Sequence, residues 1–312
     1  MFNWLPKVID QQSAALMLCQ GKGDCEMKSV QFVPTSLMQT LVILMTLGTI
    51  SNADAETTLE RVKAQGKIRV GSIIAPPFAY READGKLTGD DPEIAKAILK
   101  KLGVDEIEPV ISEFGSLIPG LKVQRIDMIA AGMYITPKRC EEIAFSEPIF
   151  RLGEAILIKR GNPKKIEDIL SFVKDKNLKL AVVVGTTEPG YSKDAGVDAS
   201  QMLIVRDNAS LVAAVQSGRA DGGALPAIQL ADIVKKSEDL ETTRPFFEVA
   251  GKSVAGYGGF GFRKEDKDLI EAFNVQLKTF IGSPEHIALV SPFGFGRDFL
   301  PTKSTAELCA GK

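Results

Sequence analysis

Short β-rich apolar runs alternate with helically periodic segments along most of this chain, and that alternation constrains the fold more than any other feature. The runs fall at 68–74 (IRVGSII), 108–114 (EPVISEF), 127–133 (DMIAAGM), 155–159 (AILIK), 178–184 (LKLAVVV) and 202–205 (MLIV). Between them, at 91–102, 208–217, 226–236 and 265–281, apolar positions recur at helical spacing. Near-continuous apolar strands separated by amphipathic helices predict an α/β fold with mixed, mostly parallel sheets flanked by helices. Two strand-like crossings, GEAILIKRGNP near 160 and AGYGGFGFRKED near 256, predict two lobes joined by paired connections. The resulting division is 56–155 for the first part of lobe 1, 156–257 for lobe 2, and 258–312 for the return into lobe 1 and the tail.

The first 55 residues do not fit this pattern. Residues 37–50 (LMQTLVILMTLGTI) form an apolar run of 14 positions, shorter than the roughly 20 that a spanning helix needs. Met27 and Lys28 precede the run, and Asn52-Ala53-Asp54-Ala55 offers an A-x-A-like cleavage site. A secretory leader over 1–55 is therefore expected, with Met27 as the initiator, cleavage near 55/56 and a periplasmic mature protein. A buried helix or a single anchor is the alternative reading of the same run.

Export changes what the cysteines mean. Cys19 and Cys25 leave with the leader, so Cys140 and Cys309 remain as an even pair in an oxidising compartment. A disulfide between them is expected, with two separate buried thiols as the alternative. His286 is the only histidine, so no His/Cys cluster can build a zinc or iron site and no metal or cofactor is expected. A Ser-His-Asp hydrolase would have to rest on that one imidazole. The 38 Lys and Arg against 40 Asp and Glu leave a net charge of -2, without the basic excess that nucleic acid demands.

In open α/β sheets the ligand crevice lies outside the carboxyl ends of the strands. Those positions are aromatic here: Phe78 follows the first run, Phe114 closes the second and Tyr134 follows the third, with Arg139 five residues later. In the other half, Gly185-Thr186-Thr187 follows LKLAVVV and precedes a helix, offering N–H groups and hydroxyls to an anion. One guanidinium fork facing such a turn would hold a carboxylate. Each feature also has a plainer reading: rings as core lids, Arg139 as an exposed first-turn residue, the GTT turn as a helix cap.

The string AAGMYITPKRCEEIAFSEPIF, with EFGSLIPGLKVQRIDMIAAG before it and GTTEPGY after it, resembles the bacterial extracellular solute-binding family that serves polar amino acid ABC importers. Within that family EFGSLIPGLK, SPEHIALVSPFGF and the terminal AELCAG are most similar to ectoine/hydroxyectoine-binding proteins. The resemblance implies a type II periplasmic binding fold, its lobes joined by strands near 154–158 and 256–260 and closing over one small molecule. It implies a monomer whose partner is an ABC permease of the inner membrane.

Carried over residue by residue, Arg139 falls on the family's carboxylate-binding arginine and Thr187 on its second-lobe threonine, with the backbone near Gly132 facing the ligand. Phe78, Phe114 and Tyr134 match rings that surround a delocalised cation in the ectoine binders. Two departures bear on the ligand. Pro226 stands where amino acid binders carry an ammonium-holding aspartate, and Ala75 stands where ectoine binders carry an acid. A buried ammonium without a counter-charge is costly, which argues against an ordinary α-amino acid and for a compact zwitterion such as ectoine. Another polar amino acid or a betaine is the alternative. A dehydratase-type enzyme is disfavoured: Glu113 alternates away from Phe114, and Glu188 is expected as a first-turn helix carboxylate.

Overall fold

Successive side chains of the central strands enter different cores, so the apolar runs are buried on both faces. In the computed structural model, which describes residues 56–312, Ala155 and Leu157 pack in one cluster while Ile156 and Ile158 pack in another. Met128 and Ile129 divide between clusters in the same way. Strand geometry sends alternate residues to opposite faces, so only an uninterrupted apolar run satisfies a sheet covered on both sides. Each fully buried Leu or Ile contributes roughly 1.5–3 kcal/mol relative to exposure. The leader reading, with Met27, Cys19, Cys25 and the run 37–50, lies outside the described residues.

In chain order the principal strands are β1 (Lys67–Ser72), β2 (Glu106–Ile111), β3 (Met128–Ile129), β4 (Ala144–Phe145), β5 (Phe150–Leu152) and β6 (Glu154–Lys159). They continue as β7 (Leu180–Val183), β8 (Met202–Val205), β9 (Gly222–Pro226), β10 (Leu240–Thr242), β11 (Gly256–Gly258) and β12 (Gly261–Phe262). The first lobe's sheet has the order β2-β1-β3-β12-β4 and the second β8-β7-β9-β6-β10. In each sheet one strand runs against the other four, β12 in the first and β6 in the second. Each of these reversed strands is the one that follows directly from the connection between lobes.

That connection is an antiparallel ribbon of β5 and β11, pairing Leu152 with Gly256 and Phe150 with Gly258. It lies earlier than the first of the two expected joining strands, because residues 154–159 are the core of the second-lobe sheet. A Cβ at Gly256 would overlap the ring of Tyr134, so glycine there lets the ring lie flat on the ribbon.

The helices that position the site are α1 (Asp90–Lys101), α2 (Pro137–Glu142), α3 (Glu188–Asp194), α4 (Asn208–Gln216), α5 (Ala227–Val234), α6 (Lys267–Phe280) and α7 (Thr305–Cys309). Cys140 on α2 and Cys309 on α7 are joined by a disulfide, with Cα atoms 5.7 Å apart. It ties the C-terminal helix to the element that carries Arg139. Among the described residues no helix is long and apolar enough to cross a membrane.

Candidate functional site

A cavity of about 600 Å³ lies between the lobes, and Phe78, Phe114, Gly132, Tyr134, Arg139, Thr186 and Thr187 all line it. Most come from loops or single turns that follow strands, where the sheet topology places the crevice, and Arg139 comes from α2. The two lobes meet beside it: a Cβ built on Gly185 would lie 2.7 Å from the Cα of Gly115.

Arg139 is placed by a short helix start. Thr136 accepts the Arg139 N–H at 3.3 Å and Pro137 occupies the first turn of α2, a combination that caps one first-turn donor and removes another. Arg139 is only 8% exposed, so its reading as a surface residue does not hold. Its Nη1 donates to the Tyr134 carbonyl at 2.7 Å, and its Nη2 crosses to the Gly185 carbonyl of the other lobe at 2.9 Å. Burial lowers its pKa to about 10, opposed by the charge of Glu188, so it is cationic at neutral pH.

The three rings differ in what they contact. Phe78 is buried against Phe150 and Phe295, with centroids 5.5 and 6.1 Å away. It also lies over the backbone of Gly132, whose φ of 65° and missing Cβ allow that approach. The Gly132 N–H donates to Asp91 Oδ2 at 2.8 Å. Phe114 is half-buried in a single helical turn with its ring 5.3 Å from the Arg139 guanidinium carbon. Tyr134 donates its hydroxyl to Glu154 Oε1 at 3.1 Å. The box is therefore partly engaged by the protein's own groups, with one ring on the site's guanidinium.

On the second lobe Thr186 donates to the Val183 carbonyl at 2.7 Å, while Thr187 stands before α3 without making a side-chain cap bond. Pro226 ends β9 at the cavity wall, and Ala75 lines it from the first lobe. Neither position carries an acid.

Acids to which the sequence assigned no binding role lie close by, and one of them, Glu154, it did not single out at all. Glu188 is the first residue of α3, but it is 2% exposed and lines the cavity, and its Oε2 has no hydrogen-bond partner. Burial raises its pKa, against the Thr186 hydroxyl and the charge of Arg139. Glu188 does stand in the first turn of its helix as expected, but the expectation of a second lobe without an anion is corrected: α3 packs its N-terminal turn into the crevice rather than toward solvent. Glu154 is fully buried at the start of β6, where the hydroxyls of Tyr134 and Tyr191 reach it at 3.1 and 3.2 Å. Burial, reinforced by the neighbouring Glu188 charge, pushes it well above the usual carboxylate range. An acid opening an otherwise apolar strand was the signal available for Glu154. Glu113 lines the rim and is exposed.

His286 is buried with its ring edge-on to Phe280, and its Nδ1 accepts the Gly282 N–H at 3.1 Å. Burial lowers it to about 4, which makes it a neutral core group. Among the described residues no group of three or more His, Cys, Asp or Glu side chains could hold a metal ion.

The chain is similar to known binding proteins. The chain is 33% identical over 287 residues to a probable amino-acid ABC transporter periplasmic-binding protein of Sinorhizobium fredii, covering 90% of this chain and 95% of that one. It is 32% identical over 227 residues to the lysine/arginine/ornithine-binding periplasmic protein of Escherichia coli, covering 67% and 80%. The crystal structure of EhuB in complex with hydroxyectoine superposes with a TM-score of 0.76 at 34% identity, over 82% of this chain and 99% of that one. The family model for bacterial extracellular solute-binding proteins, family 3, matches residues 68–294. Fold, cleft and matched segment together place this chain in that family, as the substrate-binding protein of an ABC transporter of amino-acid type.

Proposed function

We propose that this chain is a periplasmic capture protein for a small zwitterionic carboxylate, an ectoine- or hydroxyectoine-like compatible solute, which it hands to an inner-membrane permease. The single observation that supports this best is the convergence of Arg139, Phe78, Phe114 and Tyr134 on one inter-lobe cavity, while Pro226 leaves the amino-acid-type acidic position empty of charge. A guanidinium can pair with both oxygens of a carboxylate, and aromatic faces favour a delocalised cation over a compact, strongly hydrated ammonium. The similarity to EhuB, whose structure contains hydroxyectoine, points the same way.

Binding proceeds by population shift. A ligand that touches Arg139 on one lobe and the wall near Thr187 on the other favours the closed form in proportion to its differential affinity for it. That closed form is what the permease would recognise.

Calorimetry and thermal-shift measurements on residues 56–312 with ectoine, hydroxyectoine, glycine betaine, arginine and lysine test this directly. Ectoine or hydroxyectoine should stabilise most. Arginine or lysine ranking first would sink the reading. Arg139→Ala should weaken every carboxylate ligand by at least about tenfold, since a charge-assisted bond contributes roughly 1.5–3 kcal/mol.

A further inference from the structure

The cavity wall contains one polar atom that the protein itself leaves unserved. Glu188 is 2% exposed and lines the space between the lobes, yet its Oε2 has no hydrogen-bond partner. A buried carboxylate oxygen without a donor is costly, and such atoms in a folded protein call for an explanation. The hydroxyls around it are committed elsewhere, Thr186 to the Val183 carbonyl and Tyr134 and Tyr191 to Glu154. Arg139 directs two of its nitrogens at the carbonyls of Tyr134 and Gly185. Neither internal source of hydrogen bonds completes Glu188.

We propose that Glu188 is the site's cation pole, and that it restricts the cargo to zwitterions whose positive centre carries N–H bonds, such as a protonated cyclic amidine, excluding quaternary betaines. This inference rests on the zwitterion reading above and sharpens it. Arg139 belongs to the first lobe and Glu188 to the second. A ligand with opposite charges at its two ends satisfies both poles only when the lobes are together, so charge separation within the cargo is converted into closure. An N–H donor on the cation would complete Oε2. A quaternary nitrogen offers no donor and would leave the oxygen orphaned beneath the bound ligand, the arrangement by which polar sites reject analogues that lack a hydrogen-bonding group. The pole also explains how a second lobe with Pro226 at its strand end can serve a cation.

Glu188→Gln and Glu188→Asp, with wild type, are titrated calorimetrically with ectoine, glycine betaine and arginine, and the unfolding midpoint of each ligand-free variant serves as the folding control. Wild type should bind ectoine at least about tenfold more tightly than glycine betaine. Glu188→Gln should lose about 10- to 100-fold for ectoine and no more than about twofold for glycine betaine, while Glu188→Asp should keep the preference for ectoine. Equal ectoine affinity in wild type and Glu188→Gln overturns the pole, as does wild type that binds glycine betaine as tightly as ectoine. If wild type binds arginine and neither zwitterionic osmolyte, the zwitterion reading has failed on its own. Arginine then decides Glu188 separately: a tenfold loss in Glu188→Gln supports the pole, and no loss overturns it. If Glu188→Gln does not fold, Glu188→Asp carries the decision through its ectoine-to-betaine ratio.

Discussion

Replacing Gly185 by alanine separates the cost of a strained backbone from the cost of blocked closure. Gly185 has φ +82°, a conformation that costs an L-residue about 1–2 kcal/mol. That strain is present whether the lobes are apart or together, so it lowers the unfolding midpoint by about 2–8 °C in a chain of this size and leaves affinity alone. The second effect acts only when the lobes meet. The new Cβ would lie 2.7 Å from the Gly115 Cα and 3.2 Å from its nitrogen, about 1 Å inside the optimum for non-bonded carbon contacts. Both partners are backbone, so no rotamer change relieves the overlap, and overpacking of this kind costs about 1–3 kcal/mol. Affinity for the stabilising zwitterion should therefore fall about 5- to 150-fold. Gly115→Ala is the matched control: its Cβ would sit 3.7 Å from the Val184 carbonyl and 3.9 Å from the Gly185 Cα, ordinary contacts, so its affinity should stay within about twofold of wild type. Calorimetry measures affinity, and small-angle scattering follows compaction on adding ligand. Undiminished affinity in Gly185→Ala despite a lowered midpoint, or an equal loss in Gly115→Ala, would show that the lobes do not close on this contact.

Asp127 gathers Arg61 at 2.6 Å, Arg69 at 2.8 Å and Arg263 at 3.3 Å around a side chain with no exposure, so Asp127→Asn should destabilise by about 3 kcal/mol in chemical denaturation. Burial raises its pKa, but the guanidiniums of Arg69 and Arg61 outweigh it and hold the carboxyl low. That stability is present above about pH 4 and disappears as acid protonates the folded state, and an acid limb unchanged in the variant would contradict this. Asp91 has the opposite sign: burial raises it to about 7, against the bond from the Gly132 N–H. The unfolded chain loses this proton near pH 4, so the contribution fades as pH rises from about 4 to 7. Asp91→Asn, which keeps an oxygen for Gly132, should flatten the midpoint-versus-pH curve there, with a residual slope from the similarly raised Asp90; an unchanged slope would refute the assignment. Cys140→Ser with Cys309→Ser opens a loop of 169 residues and should cost up to about 5 kcal/mol in the chain-entropy account, and coincident unfolding curves of the two forms would contradict it.

Much of the architecture is determined locally and can be read from the chain. The strand at 202–205 has the same bounds in sequence and structure, and the helices near 208–216, 227–234 and 267–280 lie within two residues of their periodic segments. Runs such as LKLAVVV satisfy two buried faces at once, a demand that leaves a direct imprint on composition. The cysteine pair followed from counting, and Arg139 with the three rings from where strands end. The short glycine-rich strands β11 and β12 were not legible as separate elements, because glycine carries no strand preference and its role is to admit close neighbours, the rings of Tyr134 and Phe150 at β11 and the side chains of Ile143 and Ile129 at β12. Glu188 was placed correctly on its helix, but its burial was not legible for a related reason: at the first turn of a helix an acid has the same local advantage whether it faces water or a cavity. Only the approach of the first lobe removes its solvent and sets it in the same cleft as Arg139. Periodicity records which face of an element is apolar, whereas the surroundings of a charged group are made by residues distant in sequence, and those are brought together only by the folded chain.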